Sequence, residues 1–93
     1  MNFLQLLNAV ARVAKPAHRD LAPIDDMDVK FTETDIDSLD GMMVVMYFAI
    51  IHDIEDGLVK DFHPETPQQL HDFIEQHKKR DPESIEAALE MIK

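Results

Sequence analysis

The chain has 93 residues, the length of one small domain with a modest core. It contains no cysteine, which excludes disulfides, thiolate metal sites and a cysteine nucleophile, so packing alone must hold the fold. Nineteen acidic residues against nine basic ones give a formal charge of −10, which disfavours binding to nucleic acid or to anionic membranes and favours basic partners.

The first predicted element is an amphipathic helix at the start of the chain. Apolar residues recur there at the spacing of one helical face: Phe3, Leu6, Leu7, Val10, Val13 and Ala14. Pro16 ends this pattern. The segment Ala9-Val10-Ala11 is similar to a signal peptidase site, but no Lys or Arg precedes the apolar run. We therefore expect a helix of a cytoplasmic protein and not an export signal.

A long loop is predicted between the first helix and the second. Residues 16–37 contain two prolines and many Asp and Thr residues, which favour turns and local hydrogen bonds from side chain to backbone. Residues 20–40 carry eight carboxylates and one base, Lys30, so this stretch is either a solvated acidic loop or a recognition surface. Four apolar residues can pin the loop to the core: Ile24, Val29, Phe31 and Ile36.

The second predicted helix begins at Asp37 or Ser38 and runs to about Asp53. Asp37 as the N-cap, with Asp40 three residues later, is similar to a capping box. Ser38 then lies at the helix N-terminus, where unpaired backbone N–H groups and the helix dipole favour a phosphate ester. No charged residue follows Asp40 until Asp53. Such an apolar helix must be covered on more than one side, either by this chain or by a partner.

Two more helical segments follow within residues 54–79. Residues 54–62 favour a short turn or third helix, broken by Gly57. Residues 65–79 favour a helix with Thr66 as its cap and Pro67 at its first position. Its apolar stripe consists of Leu70, Phe73 and Ile74. The longest apolar run in the chain, residues 42–51, is too short to cross a bilayer.

The last segment, residues 82–92, is predicted to form an additional amphipathic helix. Asp81 can cap it, and Pro82 suits its first turn. Ile85, Leu89 and Ile92 recur at helical spacing and could cover part of the second helix. We therefore expect an all-α bundle of three or four helices in residues 1–79 and a C-terminal amphipathic extension in residues 80–93.

The residues around Ser38 resemble the attachment motif of the acyl carrier protein family. Asp37-Ser38-Leu39-Asp40 matches the family's Asp-Ser-Leu-Asp/Glu motif, and residues 31–36 resemble the loop that leads into it. The later helices follow at the family's usual distances, so the resemblance covers most of residues 1–79. It implies an acyl-carrier-like bundle with a long loop between the first two helices, to which this chain adds a C-terminal helix.

The resemblance implies that Ser38 carries a 4′-phosphopantetheine arm, whose thiol holds acyl groups as thioesters. The carrier itself would not be an enzyme, because the cofactor supplies the reactive group. A phosphopantetheinyl transferase (holo-carrier synthase) would attach the arm. Ketosynthase or acyltransferase-type enzymes of fatty-acid or polyketide biosynthesis would use the acyl group. We expect a monomer with no membrane span and no nucleic-acid partner.

Site residues follow from the same resemblance. The transferase or another partner would recognise five residues near the serine: Asp35, Asp37, Leu39, Asp40 and Met43. The acyl chain would be lined by Met46, Phe48 and Phe73, with Leu39 beside them. Three outward positions of the second helix that normally carry acids in the family hold Met43, Ala49 and Ile50 here, which favours a specialised carrier.

Three alternatives are weighed against the carrier. A serine hydrolase would need a base and oxyanion donors beside Ser38, and the chain has histidines but no Gly-x-Ser-x-Gly elbow. A metal site is disfavoured because no two histidines are four residues apart, and residues 25–35 lack the glycine and glutamate of a calcium-binding loop. The third alternative is a carrier-fold interaction module that has no prosthetic group and works through its apolar second helix.

Overall fold

The architecture is entirely helical in the residues that the computed structural model describes, 2–14 and 22–93. Five α-helices follow one another in chain order: α1 (Phe3–Ala14), α2 (Ser38–His52), α3 (Asp56–Val59), α4 (Pro67–His77) and α5 (Ile85–Ile92). A short 3₁₀ helix, Phe31–Glu33, lies in the loop before α2. These residues contain no strand, which confirms the prediction of a small all-α bundle.

Side-chain caps fix where α2 and α4 begin, as the sequence predicted. The Asp37 carboxylate accepts a hydrogen bond from the Asp40 backbone N–H at 2.9 Å. The Thr66 hydroxyl oxygen accepts one from the Gln69 N–H at 3.2 Å. At its other end α2 stops at Asp53, whose φ of 55° is left-handed, a conformation that Asp tolerates better than most residues.

Helix α2 is the centre of the bundle and packs against each of the other four helices. This follows from its composition, since an apolar helix without a polar face gains stability only by burial on several sides. The largest fully buried side chains come from α1, α2 and α4: Leu7, Val10, Val44, Phe48, Ile51 and Leu70, together with Pro67.

Hydrogen bonds to backbone groups of the described part of the long loop, residues 22–37, join it to α1 and to the residue before the α4 cap. The Asn8 side chain of α1 accepts from the Ile24 N–H at 2.7 Å and donates to the Ile24 carbonyl at 2.8 Å. The Phe31 N–H donates to the Glu65 carbonyl at 2.8 Å. Ile24 and Ile36 are buried, so apolar contacts also hold this mostly irregular stretch against the core. Pro16 and Asp20 of the predicted loop lie outside the described residues.

The C-terminal helix α5 packs against α1 and α2. Ala88 is fully buried, and partly buried apolar residues pack beside it: Ile85, Leu89 and Ile92. The helix begins later than the sequence predicted, because Ser84 and not Asp81 is its N-cap. The Ser84 hydroxyl accepts from the Ala87 N–H at 3.0 Å, whereas the Asp81 carboxylate accepts from the Lys78 ammonium at 3.0 Å.

The segment before α5 closes the C-terminal end of α2. The Arg80 guanidinium donates to the carbonyls of Ile51 at 3.0 Å and Ile50 at 2.6 Å. The Lys79 N–H donates to the His52 carbonyl at 2.9 Å. These three carbonyls lie in the last turn of α2, where no intrahelical donor remains for them. Residues 79 and 80 therefore act as a cap supplied from elsewhere in the chain.

His52 belongs to the same contact and is buried. Its Nδ1 lies 3.1 Å from the Arg80 carbonyl, so the Nδ1–H tautomer donates to it, and its ring stacks on Phe48. Burial lowers the pKa of His52 below its ordinary value, because a charged imidazolium would lose its hydration. The Arg80 carbonyl and Asp81, 3.7 Å from Nδ1, oppose this shift without cancelling it.

Candidate functional site

Ser38 is the first residue of α2, and its side chain is exposed to solvent. Asp37 holds the helix start by two contacts: its carboxylate accepts from the Asp40 N–H, and its carbonyl accepts from the Gly41 N–H at 2.8 Å. The serine hydroxyl therefore lies at the positive end of the α2 dipole. The Asp37 carboxylate stabilises the helical turn that holds it there.

An apolar cavity of about 530 Å³ opens beside Ser38. It lies between the loop residues 31–37, the first half of α2 and residues 62–64. Most of its wall is apolar and comes from Phe31, Ile36, Met42, Val44, Val45, Phe62 and Leu70. Asp35, Asp37 and Ser38 also border the cavity, so an apolar space adjoins the serine and its two acidic neighbours. Small-molecule sites have volumes of about 300–1,000 Å³, which includes this one.

The three residues that were predicted to line an acyl chain, Met46, Phe48 and Phe73, do not line this cavity. Met46 is on the outside of α2, and Phe48 is in the core, with its ring centroid 5.5 Å from that of Phe3 on α1. Phe73 is half-buried and stacks on Phe62 at a centroid distance of 3.9 Å, so it contacts a cavity residue without lining the cavity itself. Met46, Phe48 and Phe73 therefore lie on α2 and α4 beside the residues that line the cavity, and not among them.

The residues that do line the cavity include several that sequence reasoning missed: Ile36, Val45, Phe62, His63 and Leu70. One signal for α2 was available in the sequence. Gly41 follows Ser38 by three residues and Val45 follows Gly41 by four, so all three share one helical face. No comparable signal existed for Phe62 and His63, because they lie in irregular chain between α3 and α4.

The predicted recognition residues surround the serine but differ in exposure. Asp35 is exposed and accepts a hydrogen bond from the Ala22 N–H at 3.0 Å. Leu39 is exposed, whereas Asp40 and Met43 are each partly buried. Asp35, Asp37 and Leu39 could therefore meet a partner directly, and Asp40 contributes charge at the first turn of α2.

Two observations on the described part of the chain concern the alternative chemistries. His63 borders the same cavity as Ser38, but no hydrogen bond joins these two side chains. Within residues 2–14 and 22–93, no group of three or more His, Asp or Glu side chains could hold a metal ion. In the same residues, no helix combines the length and apolar character that crossing a membrane requires.

Comparisons with known proteins add no family assignment. No protein-family model matches the chain, and neither a curated protein nor a solved structure gives a significant match. The likeness to acyl carriers therefore rests on the Asp37-Ser38-Leu39-Asp40 motif and its surroundings, and the carrier function stays a prediction.

Proposed function

We propose that this chain is an acyl carrier protein, with a 4′-phosphopantetheine arm on Ser38 that holds acyl intermediates as thioesters. The observation that supports it best is the combination of an exposed serine at a capped helix start with a mainly apolar cavity of about 530 Å³ beside it. A serine that only occupies the first position of a helix needs no such cavity.

The attachment chemistry requires a nucleophilic hydroxyl and room for a phosphodiester. In the proposed reaction, the Ser38 oxygen forms a bond to the β-phosphorus of coenzyme A. The bond from that phosphorus to the bridging pyrophosphate oxygen breaks, and adenosine bisphosphate leaves. The hydroxyl proton goes to a base of the transferase. The phosphodiester keeps one negative charge, which the N-terminus of α2 favours.

The cavity gives the bound acyl chain a place to avoid water. Each CH₂ group that enters an apolar wall is stabilised by about 0.8 kcal/mol, so a chain of several carbons has a clear preference for the interior over solvent. Val44 and Leu70 are almost fully buried and border the cavity, whereas Ser38 borders it with an exposed side chain. The carrier would thereby shield the chain until a partner enzyme receives it.

Electrostatics suits delivery to basic enzymes. Asp35, Asp37 and Asp40 lie within a few residues of the serine, and the whole chain has a formal charge of −10. Clustered charge of one sign speeds the encounter with a partner of opposite sign more than it adds affinity. The transferase, and the ketosynthase or acyltransferase-type enzymes that would follow it, should therefore meet Ser38 through basic surfaces.

The deciding experiment measures intact mass after incubation with coenzyme A and a phosphopantetheinyl transferase of broad specificity. The wild type should gain the mass of one arm, and Ser38→Ala should gain none. Ser84→Ala is a matched control, because Ser84 also lies at the start of a helix, as the N-cap of α5, but outside the Asp37-Ser38-Leu39-Asp40 motif. An unmodified wild type would contradict the proposal and leave the interaction module, working through α2, as the better account.

A further inference from the structure

Two consecutive residues of the C-terminal segment are hydrogen-bonded to one histidine, His52. The backbone carbonyl of His52 accepts from the Lys79 N–H at 2.9 Å, and the Nδ1–H of its ring donates to the Arg80 carbonyl at 3.1 Å. The Arg80 guanidinium binds the Ile50 and Ile51 carbonyls of the same turn. The chain that leads into α5 is therefore attached to α2 at His52 and at the two residues before it.

The second ring nitrogen of His52, Nε2, is buried among the described residues and has no hydrogen-bond partner there. The whole residue is 5% exposed, and its ring stacks on Phe48 with an angle of 5° between the ring planes. A neutral imidazole can occupy such a position at a moderate cost. A proton on Nε2 would create a buried cation whose new N–H has no acceptor. The closed contact therefore favours the neutral ring.

The charged groups that act on the His52 ring come from the end of α4 and the segment after it: Asp81, Lys78 and Glu75. Lys78 pairs with both carboxylates at 3.0 Å, which partly neutralises their charge, and Asp81 is 61% exposed. Burial therefore outweighs these carboxylates and lowers the pKa of His52. Charged or titratable side chains of the helices packed against α2 that do not contribute to this shift include Arg12 of α1, Asp56 of α3, His71 and Asp72 of α4, and Glu86 and Glu90 of α5.

Helix α5 depends on the attachment at His52. It is eight residues long, and isolated helices of this length are not stable in water. Ala88 is the one fully buried residue of the helix. Elements with few buried contacts open at a lower free energy than the core of a domain. Loss of the contact between His52 and residues 79–81 should therefore release α5 while the other helices stay packed.

We propose that His52 and residues 79–81 form an acid-operated latch, which releases α5 from the bundle when the His52 ring takes up a proton. The neutral ring donates to the Arg80 carbonyl and stays covered. The protonated ring regains hydration only when residues 79–81 move away. Release exposes the apolar side of α5, with Ile85 and Leu89, and the surface of α1 and α2 that it covers. The latch operates whether or not Ser38 carries an arm.

The direction of the pH effect follows from proton binding in the two states. The released ring has the ordinary pKa of 6.5, whereas burial lowers the pKa in the closed state. The released state therefore binds more protons, and its population rises as the pH falls below about 6.5. Between pH 7.5 and pH 5.5 the ratio of released to closed protein should rise about threefold to tenfold. The upper value applies when the closed ring stays neutral over this range.

Amide hydrogen exchange of the ¹⁵N-labelled full chain, measured by magnetisation transfer from water at pH 7.5 and pH 5.5, tests the latch. Protection factors, which correct for the intrinsic pH dependence of exchange, should fall about threefold to tenfold at Ala88 and its neighbours in α5. They should stay below those of the core amides of Val10 and Val45 at both pH values. Unchanged protection of α5, or equal protection of α5 and the core, would overturn the proposal.

The His52→Asn variant separates protonation from the hydrogen bond. An Asn amide can still donate to the Arg80 carbonyl but does not titrate, so α5 should be equally protected at the two pH values. His71→Asn is the matched control. His71 also lies against an aromatic ring, with its centroid 5.0 Å from that of Phe3, but its ring nitrogens face carboxylates of α4 itself. It should keep the wild-type response. A wild-type response in His52→Asn would contradict the latch.

A measurement on the wild type keeps the test independent of how the variants fold. Ring ¹⁵N signals of His52 report its proton, and methyl signals of Ile85 and Leu89 report the position of α5. Both sets should change with one midpoint, below pH 6.5. Protonation of His52 without a change in the α5 methyl signals would overturn the proposal, as would release of α5 while the ring stays neutral. Neither measurement involves Ser38, so failure here is distinguishable from failure of the carrier function.

Discussion

Arg80 offers a quantitative test of the contact that joins the C-terminal segment to α2. Its guanidinium donates to the Ile51 carbonyl at 3.0 Å and to the Ile50 carbonyl at 2.6 Å. In the Arg80→Met variant the apolar stem remains and both hydrogen bonds are lost. A buried hydrogen bond to a charged group contributes about 1.5–3 kcal/mol to the free energy of unfolding. Arg80 is exposed, so in the variant water can hydrogen-bond to the two carbonyls and recover part of this contribution.

We therefore expect Arg80→Met to lower the free energy of unfolding by about 1–2 kcal/mol in total. For a domain of this size, each kcal/mol corresponds to about 4–8 °C in Tm, so the melting temperature should fall by roughly 5–15 °C. Thermal and urea unfolding followed by circular dichroism at 222 nm measure both quantities. Arg80→Lys should lose most of the same stability, because an ammonium lacks the planar fork that reaches two carbonyls.

Lys60→Met is the matched control for charge. Like Arg80→Met, it changes the formal net charge from −10 to −11, but Lys60 lies at the end of α3 and its side chain caps no carbonyl of α2. Its stability should stay within about 0.5 kcal/mol of the wild type. If Arg80→Met and Lys60→Met are equally stable, residues 79 and 80 do not cap α2 and the account of this contact is wrong.

Three more predictions concern the core and the cavity. Burial lowers the pKa of His52 in the folded state below its ordinary value of 6.5, so the folded state binds fewer protons than the unfolded state and stability should fall as the pH drops below about 6.5. His52→Gln should weaken that pH dependence in urea titrations. Gly41→Ala should raise the free energy of unfolding by about 0.5–1 kcal/mol, because alanine favours the helix and its Cβ would meet only one side-chain atom, at 3.9 Å. Denaturant midpoints test this, and a lower midpoint would contradict it. Loading Ser38 with an octanoyl arm instead of an acetyl arm should shift the NMR methyl signals of Val45 and Leu70, which line the cavity, more than those of Val10 in α1, which does not line it. Identical spectra would argue against an enclosed acyl chain.

The helices could be predicted from the sequence because their signals are local. The apolar spacing of residues 3–14 and the caps Asp37 and Thr66 gave bounds within one or two residues of those observed. Helix α5 begins later than predicted, because the predicted cap, Asp81, is not the residue that caps it. Asp81 is held by Lys78, and Ser84 caps the helix. A carboxylate next to a lysine can either cap a helix or pair with the ammonium group. The sequence does not show which of these two roles Asp81 takes.

The cavity could not be predicted in the same way, because its far wall depends on long-range contacts. The Phe31 N–H bonds to Glu65, and the Gln68 N–H bonds to Met27, which fixes the loop against the start of α4. Only then do Ile36 and Phe62 line one space with Val45. The apolar character of α2 was evident in the sequence, but which face the bundle would leave open depended on where α5 packs.

The most direct test of the carrier function is the mass of the intact protein after incubation with transferase and coenzyme A. We predict that the wild type and Ser84→Ala each gain one phosphopantetheine arm, and that Ser38→Ala gains none. Fragmentation should place the added mass on the peptide that contains Ser38. An unmodified wild type, or a Ser38→Ala variant that is modified as readily, would contradict the carrier function.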